Sequence, residues 1–318
     1  MRRPPLLILL SCVVAASACT NHQAAAPTTS SGPVAPTTTA VPSPTTATPK
    51  GPLAVGVRTL TFVDASRPTP ATSAGPARPS RTLVTTVWYP MASGRFPLVV
   101  WAHGYNRVST EYQSLLRRWA SAGYVVAGPN LPSLRRPAPG QGPASEADAR
   151  SEPGDLSFVI GALATSPLGD VVDTSHVIAA GHSDGAIDAL AVALAQCCHD
   201  PRIGAVVSIA GAEEAGTFGA YTAAGPVPLL VVQGDHDVHL TVGDAHAIYN
   251  PAAAPKFLLI LRGADHNTSL LDVGAQPATL LADEVVAFSD RYAKNLPTVA
   301  GMDRDAASAG FADLMHQP

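Results

Sequence analysis

Five residues, Gly181-His182-Ser183-Asp184-Gly185, constrain this chain more tightly than any other stretch. They follow an apolar run with β-strand character, Val177-Ile178-Ala179-Ala180, and an alanine-rich helical segment begins at Ala186. A strand, a sharp turn and a helix leaving at once are what a nucleophile elbow requires. The two glycines leave room for close approach of strand and helix, while the Ser183 hydroxyl is lifted above the sheet edge. Gly-x-Ser-x-Gly on its own also arises by chance in an Ala/Gly-rich chain, as an ordinary turn serine. The strand before it and the helix after it select the elbow here.

A strand feeding a helix is the repeating unit of a parallel sheet, and the chain from residue 53 onward repeats it. Leu53 to Asp64 and Leu83 to Tyr89 alternate apolar and polar residues, as half-buried strands do, and pair as an antiparallel leading edge. Phe96 to Ala102, Ile203 to Ala210, Val227 to Val232 and Phe257 to Leu261 are continuous apolar runs, suited to strands covered on both faces. A shorter strand is read at Tyr124 to Ala127 and the strand entering the elbow at His176 to Ala180. Helices are expected at Tyr112–Ala122, Leu156–Leu163, Ala186–Gln196, Thr241–Tyr249 and Leu280–Tyr292, with a long loop at Gly128–Pro153. The fold class is therefore α/β, a doubly wound and mostly parallel sheet. About fifteen residues, Gly211 to Gly225, separate two strands where a cap domain would insert, so little or no cap is expected. Hydrophobic residues make up 46% and charged residues 14%, enough apolar surface for one large domain plus extensions. The net charge of −4 comes without any Lys/Arg run, which argues against a nucleic-acid partner.

The first 52 residues read differently. Arg2-Arg3, the apolar stretch Leu6–Val14 and the small residues up to Cys19 describe an export signal, too short to span a bilayer permanently. Ala16-Ser17-Ala18-Cys19 is similar to a bacterial lipobox, with Ala16 where leucine is usual, and makes Cys19 the expected lipidation site. Residues 20–52 are Thr, Pro, Ala and Ser with almost no charge, too polar to offset their ordering entropy, and read as a disordered, Pro-stiffened tether. Residues 53–318 form the remaining domain. The expected location is the cell envelope, anchored to the outer face of the cytoplasmic membrane, or the medium; a monomer is expected. Cys197 and Cys198 are adjacent; a vicinal bridge is strained and rare, so two unpaired cysteines are expected, and their spacing is not that of a zinc site.

A serine hydroxyl becomes a nucleophile when an imidazole takes its proton and a carboxylate orients that imidazole. After an elbow the chain order is acid, then histidine, both on loops at the carboxyl ends of strands. Gln233-Gly234-Asp235-His236-Asp237 follows one strand, and Arg262-Gly263-Ala264-Asp265-His266 follows the next. Asp237 and His266 lie 29 residues apart, room for one helix and one strand. Asp235 competes with Asp237 but suits a loop cap, and Asp265 suits a bond to local backbone. The oxyanion donors expected are the backbone N–H of Asp184 and that of Tyr105, in the His103-Gly104-Tyr105 turn after an earlier strand. The Asp184 carboxylate would oppose a nearby oxyanion, so it is expected to face solvent or pair with a basic group.

The chain resembles α/β-hydrolases of the branch that holds platelet-activating-factor acetylhydrolase, chlorophyllase and polyester-degrading cutinase-type enzymes. The residues that carry the resemblance are Val87-Trp88-Tyr89-Pro90, Pro97 to Gly104, Gly181 to Gly185, Gly234 with Asp237, and His266. It covers roughly residues 53–295, and the Gly-x-x-Asp turn at Gly234 favours Asp237 as the acid. The resemblance implies a Ser183, Asp237 and His266 triad, metal-free acyl transfer to water without a cofactor, and oxyanion donors at Tyr105 and Asp184. The chain departs from the pattern with Ala186 where glycine is frequent and with an acidic residue after the serine. An exported serine carboxylesterase or lipase-like enzyme acting on a small-molecule or lipid ester leads. The alternatives are an envelope acyltransferase on the same triad and a non-catalytic lipid-binding lipoprotein.

Overall fold

A computed structural model describes residues 52–221, 225–267, 276–297 and 299–318. The expected signal, Cys19 and nearly all of the tether lie outside the described residues. Strands β1 (Val55–Asp64) and β2 (Arg81–Pro90) form an antiparallel hairpin, the leading edge read from alternation. Next come β3 (Phe96–Ala102), helix α1 (Gln113–Ser121) and β4 (Val125–Asn130), and β4 pairs antiparallel with β2 but parallel with β3. Helix α2 (Glu152–Ala164), β5 (Val172–His182) and α3 (Asp184–Leu194) then carry the chain through the elbow. β6 (Ile203–Ile209), a four-residue helix α4 (Ala215–Phe218), β7 (Leu229–Gly234), α5 (Val242–Tyr249) and β8 (Lys256–Leu261) follow. The chain ends with α6 (Gln276–Ala293), α7 (Val299–Ala309) and β9 (Ala312–Gln317). The strand order is β1-β2-β4-β3-β5-β6-β7-β8-β9, parallel from β4 through β8.

The continuous apolar runs are explained by a helical layer on each face. In β3, Val99 and Trp101 face α1 and α6, meeting a cluster with Leu115, Leu116, Trp119, Leu281, Val285 and Phe288. Leu98, Val100 and Ala102 face the other way, into a cluster with Leu156, Val159, Ile160, Leu190 and Ile248 from α2, α3 and α5. Every residue from Leu98 to Ala102 is fully buried. Opposite-facing neighbours in one strand thus hold both layers, as a buried parallel sheet requires.

Three readings change. The chain beyond residue 293 carries α7 and β9, where no element was expected. β9 pairs antiparallel with β8 and covers that edge. Its side chains alternate between more and less buried positions, so it lacks the continuous apolar signal of the inner strands. Second, Cys197 and Cys198 are joined as a disulfide rather than unpaired. Third, β4 runs on to Asn130, so the long loop begins at Leu131. Beneath that loop Arg81 is fully buried, bonded to Asp148 at 2.7 Å and to both oxygens of Asp155 at 2.6 Å.

Candidate active site

The elbow is a local consequence of its sequence. A Cβ on Gly181 would collide with the Gly185 carbonyl, and one on Gly185 with the carbonyls of Ala102 and His103. Strand β5, helix α3 and the end of β3 therefore touch through backbone alone, and no other residue type fits. Ser183 sits between them at φ 57° and ψ −127°, a conformation that costs a non-glycine residue about 1–3 kcal/mol. Its amide is anchored to the Ile209 carbonyl of β6 at 3.0 Å, which holds the strained turn against the sheet.

Ser183, His266 and Asp237 form one hydrogen-bonded chain. His266 Nε2 lies 2.9 Å from Ser183 Oγ, and His266 Nδ1 lies 2.6 Å from Asp237 Oδ2. Asp237 is buried, and its second oxygen accepts the His239 and Leu240 amides at 2.8 and 3.0 Å. Gln233 Nε2 donates to Oδ2 at 3.0 Å. Burial alone would raise the Asp237 pKa, but the bonds from His266 and the two amides outweigh it and hold the carboxyl below its ordinary range. A carboxylate so fixed favours the Nδ1–H tautomer of His266, leaving Nε2 to accept the serine proton. Asp235 Oδ1 instead accepts the Gly263 amide at 2.6 Å, and Asp265 Oδ1 accepts the Asn267 amide at 2.9 Å. Both are turn-stabilising contacts.

At the end of β3 the chain passes so near the elbow that a Cβ on Gly104 would stand 3.1 Å from Ser183 Cβ. His103 is fully buried; its Nε2 accepts the Leu131 amide at 3.0 Å, so Nδ1–H donates to the Gly104 carbonyl at 2.9 Å. Burial keeps that ring neutral, with its pKa down at about 4. The amides of Tyr105 and Asp184 donate to no acceptor among the described residues. The Tyr105 hydroxyl reaches over the loop after β4, donating to the Ala144 carbonyl at 2.8 Å. Trp101 belongs to the core rather than to a surface pocket, fully buried with its ring 5.1 Å from Tyr112.

Asp184 is where the structure corrects the sequence reading. Its carboxylate neither meets a basic group nor stands clear in solvent. It lines a small cavity, about 30 Å³, with Glu146, Glu152, Asp188 and Glu214. Its Oδ2 is buried without a partner among the described residues. Burial, and then the charges of Glu146 and Glu214, push its pKa up to about 6. Asp188 and Glu152 below it are almost fully buried and bonded to each other, and burial raises both. Among the described residues no group of three or more His, Cys, Asp or Glu side chains could hold a metal ion.

Four residues around the site were not singled out from sequence as part of it. Gln233 and His239 bracket Asp237, the latter with its ring 5.1 Å from His266. Tyr112 and His182 are bonded to each other at 2.8 Å beneath the serine. The partners of His182 lie 70 and 84 residues away, and no local pattern announces them.

A mostly parallel sheet flanked by helices, with a strained serine on the strand-to-helix turn of a central strand, defines an α/β-hydrolase. Residues 54–218 match the family model described as Chlorophyllase, and the chain belongs to that family. The match includes the elbow and stops before Asp237 and His266. Chlorophyllase-2 of Arabidopsis thaliana is 29% identical over 127 residues, 40% of this chain but only 37% of that relative's length. Among solved structures, a ferulic acid esterase from Streptomyces cinnamoneus is similar in fold, with a TM-score of 0.68. That match has 22% identity and covers 85% of this chain and 98% of that one.

Proposed function

We propose that this protein is a serine esterase that cleaves carboxylic esters through an acyl-enzyme on Ser183. The observation that carries the reading is the unbroken chain Ser183 Oγ–His266–Asp237 at an elbow whose neighbouring amides are unengaged. His266 takes the serine proton as Oγ attacks the ester carbonyl, and the Tyr105 and Asp184 amides stabilise the oxyanion. The same imidazole protonates the departing alcohol, then activates a water that releases the acid. Asp237 keeps the ring in its productive tautomer and supports the imidazolium. The names of the relative and of the structural neighbour, a chlorophyllase and an esterase, support ester substrates. Export and anchoring at Cys19 belong to the same proposal; replacing Cys19 is expected to move the protein from the membrane fraction to the medium, and unchanged partitioning would contradict the anchor.

The test is hydrolysis of short p-nitrophenyl esters. Ser183→Ala is expected to lower kcat by several orders of magnitude with the fold intact by circular dichroism. Equal activity in the variant would refute the assignment.

A further inference from the structure

His182, the residue that precedes the serine, is 2% exposed and cannot touch substrate. Its two ring nitrogens nonetheless bind the two loops on which the chemistry depends. His182 Nε2 is 2.8 Å from the main-chain oxygen of His266, so that nitrogen carries the proton and donates it. His182 Nδ1 must then accept, and it takes the Tyr112 hydroxyl at 2.8 Å. The Tyr112 oxygen in turn accepts the Gly104 amide at 3.3 Å. One directed chain therefore runs from the Gly104 N–H through Tyr112 and His182 to the His266 carbonyl. Its first member is the residue before the Tyr105 oxyanion donor, and its last is the backbone of the general base. Burial, reinforced by the positive charge that His266 acquires, holds the His182 pKa down at about 3, so the ring stays a neutral donor and acceptor across the working range. Burial likewise pushes the Tyr112 hydroxyl up to about 12, so it remains a donor. Trp101 packs against Tyr112 and Trp119 at 5.1 and 6.1 Å, which ties this chain to the rigid core.

We propose that His182, acting with Tyr112, is a positioning residue that sets the His266 loop and the Gly104–Tyr105 turn at matched positions relative to Ser183. The proposal rests on the esterase reading. Its physical basis is that a misplacement of about 1 Å from a remote change can cost a hundredfold in rate. The sequence contains no hint of it because the His182 bonds span 70 and 84 residues.

Two substitutions separate the halves of the ring. Glutamine places an amide N–H as many bonds from Cβ as Nε2, so His182→Gln keeps the donor to the His266 carbonyl. Asparagine places its oxygen where Nδ1 is, so His182→Asn keeps the acceptor for Tyr112 and loses the bond to His266. With p-nitrophenyl butyrate, His182→Gln is expected to hold kcat within about fivefold of the parent. His182→Asn is expected to lose roughly 10- to 100-fold in kcat with KM within about twofold. Tyr112→Phe removes a single oxygen from the core, so it keeps the question open should an Asn variant fail to fold. Its expected loss is roughly three- to tenfold in kcat at unchanged KM. Melting curves and active-site titration normalise each rate to folded sites. Equal kcat in the Gln and Asn variants, whether both high or both low, or an unaltered kcat in Tyr112→Phe, overturns the proposal. Ser183→Ala runs alongside: if it stays active the esterase reading fails, whereas an inactive Ser183→Ala with a flat His182 series sinks only the positioning role.

Discussion

At the scale of single residues the unusual group is Asp184, whose amide lies unengaged beside Ser183 while its carboxyl sits among other acids. With a pKa raised to about 6, the carboxyl is largely neutral at pH 5 and ionised at pH 8. Once ionised it would oppose the oxyanion of the proposed mechanism. A unit charge at about 8 Å with an effective dielectric near 20 is worth up to ~2 kcal/mol, and partial solvation lowers this. Asp184→Asn is therefore expected to raise kcat at pH 8 by roughly three- to tenfold, and to leave kcat at pH 5 close to that of the parent. A variant-to-parent ratio that does not change with pH would contradict the account. That Ser183, Asp237 and His266 come together could be read, because each follows a strand at a glycine. The surroundings of Asp184 could not, because Glu146 and Glu214 come from a loop and a turn far along the chain. Chemical type is local information; the charges that a side chain meets are not.

Among elements, the elbow is the most tightly constrained. Gly181→Ala puts a methyl into the Gly185 backbone, which cannot move without shifting α3. Overpacking of this kind typically costs 1–3 kcal/mol, and contact with rigid backbone places it at about 3 kcal/mol or more. The expected result is loss of soluble protein or a sharply lowered midpoint in urea; a parent-like midpoint would show that the strand and helix have slack. Helix α6 carries the opposite case, a stability cost retained in the fold. Glu284 is buried with both oxygens unpartnered among the described residues. Burial first, then Asp305, Asp283 and Asp303, raise its pKa to about 8. A carboxyl raised above its unfolded value binds more protons in the folded state, so stability falls as pH climbs from about 4.5 through about 8. Glu284→Gln is expected to raise the melting temperature at pH 9 and to make little difference at pH 5. A stabilisation that is the same at both would place the effect elsewhere.

For the whole molecule, the order of strands and helices up to α6 was legible apart from the four-residue α4, because two-sided burial writes long apolar runs and helices between them bear periodic ones. The closing strand was not, because β9 packs as an edge and its alternation over six residues is a weak signal. Deleting residues 312–318 uncovers β8, whose six residues are all buried, and leaves an open apolar edge. The expected outcome is concentration-dependent aggregation by light scattering, and a monodisperse truncation would mean that β9 protects nothing. The N-terminal signal and tether are expectations from composition that lie outside the described residues, and the Cys19 partitioning experiment tests the anchor. A single activated serine is proposed to perform the chemistry, and intact-mass analysis after reaction with a fluorophosphonate reads it directly. One adduct per chain, on the peptide that contains Ser183 and absent after His266→Ala, is the predicted result. Folded, ester-cleaving protein that carries no adduct at Ser183 would contradict it.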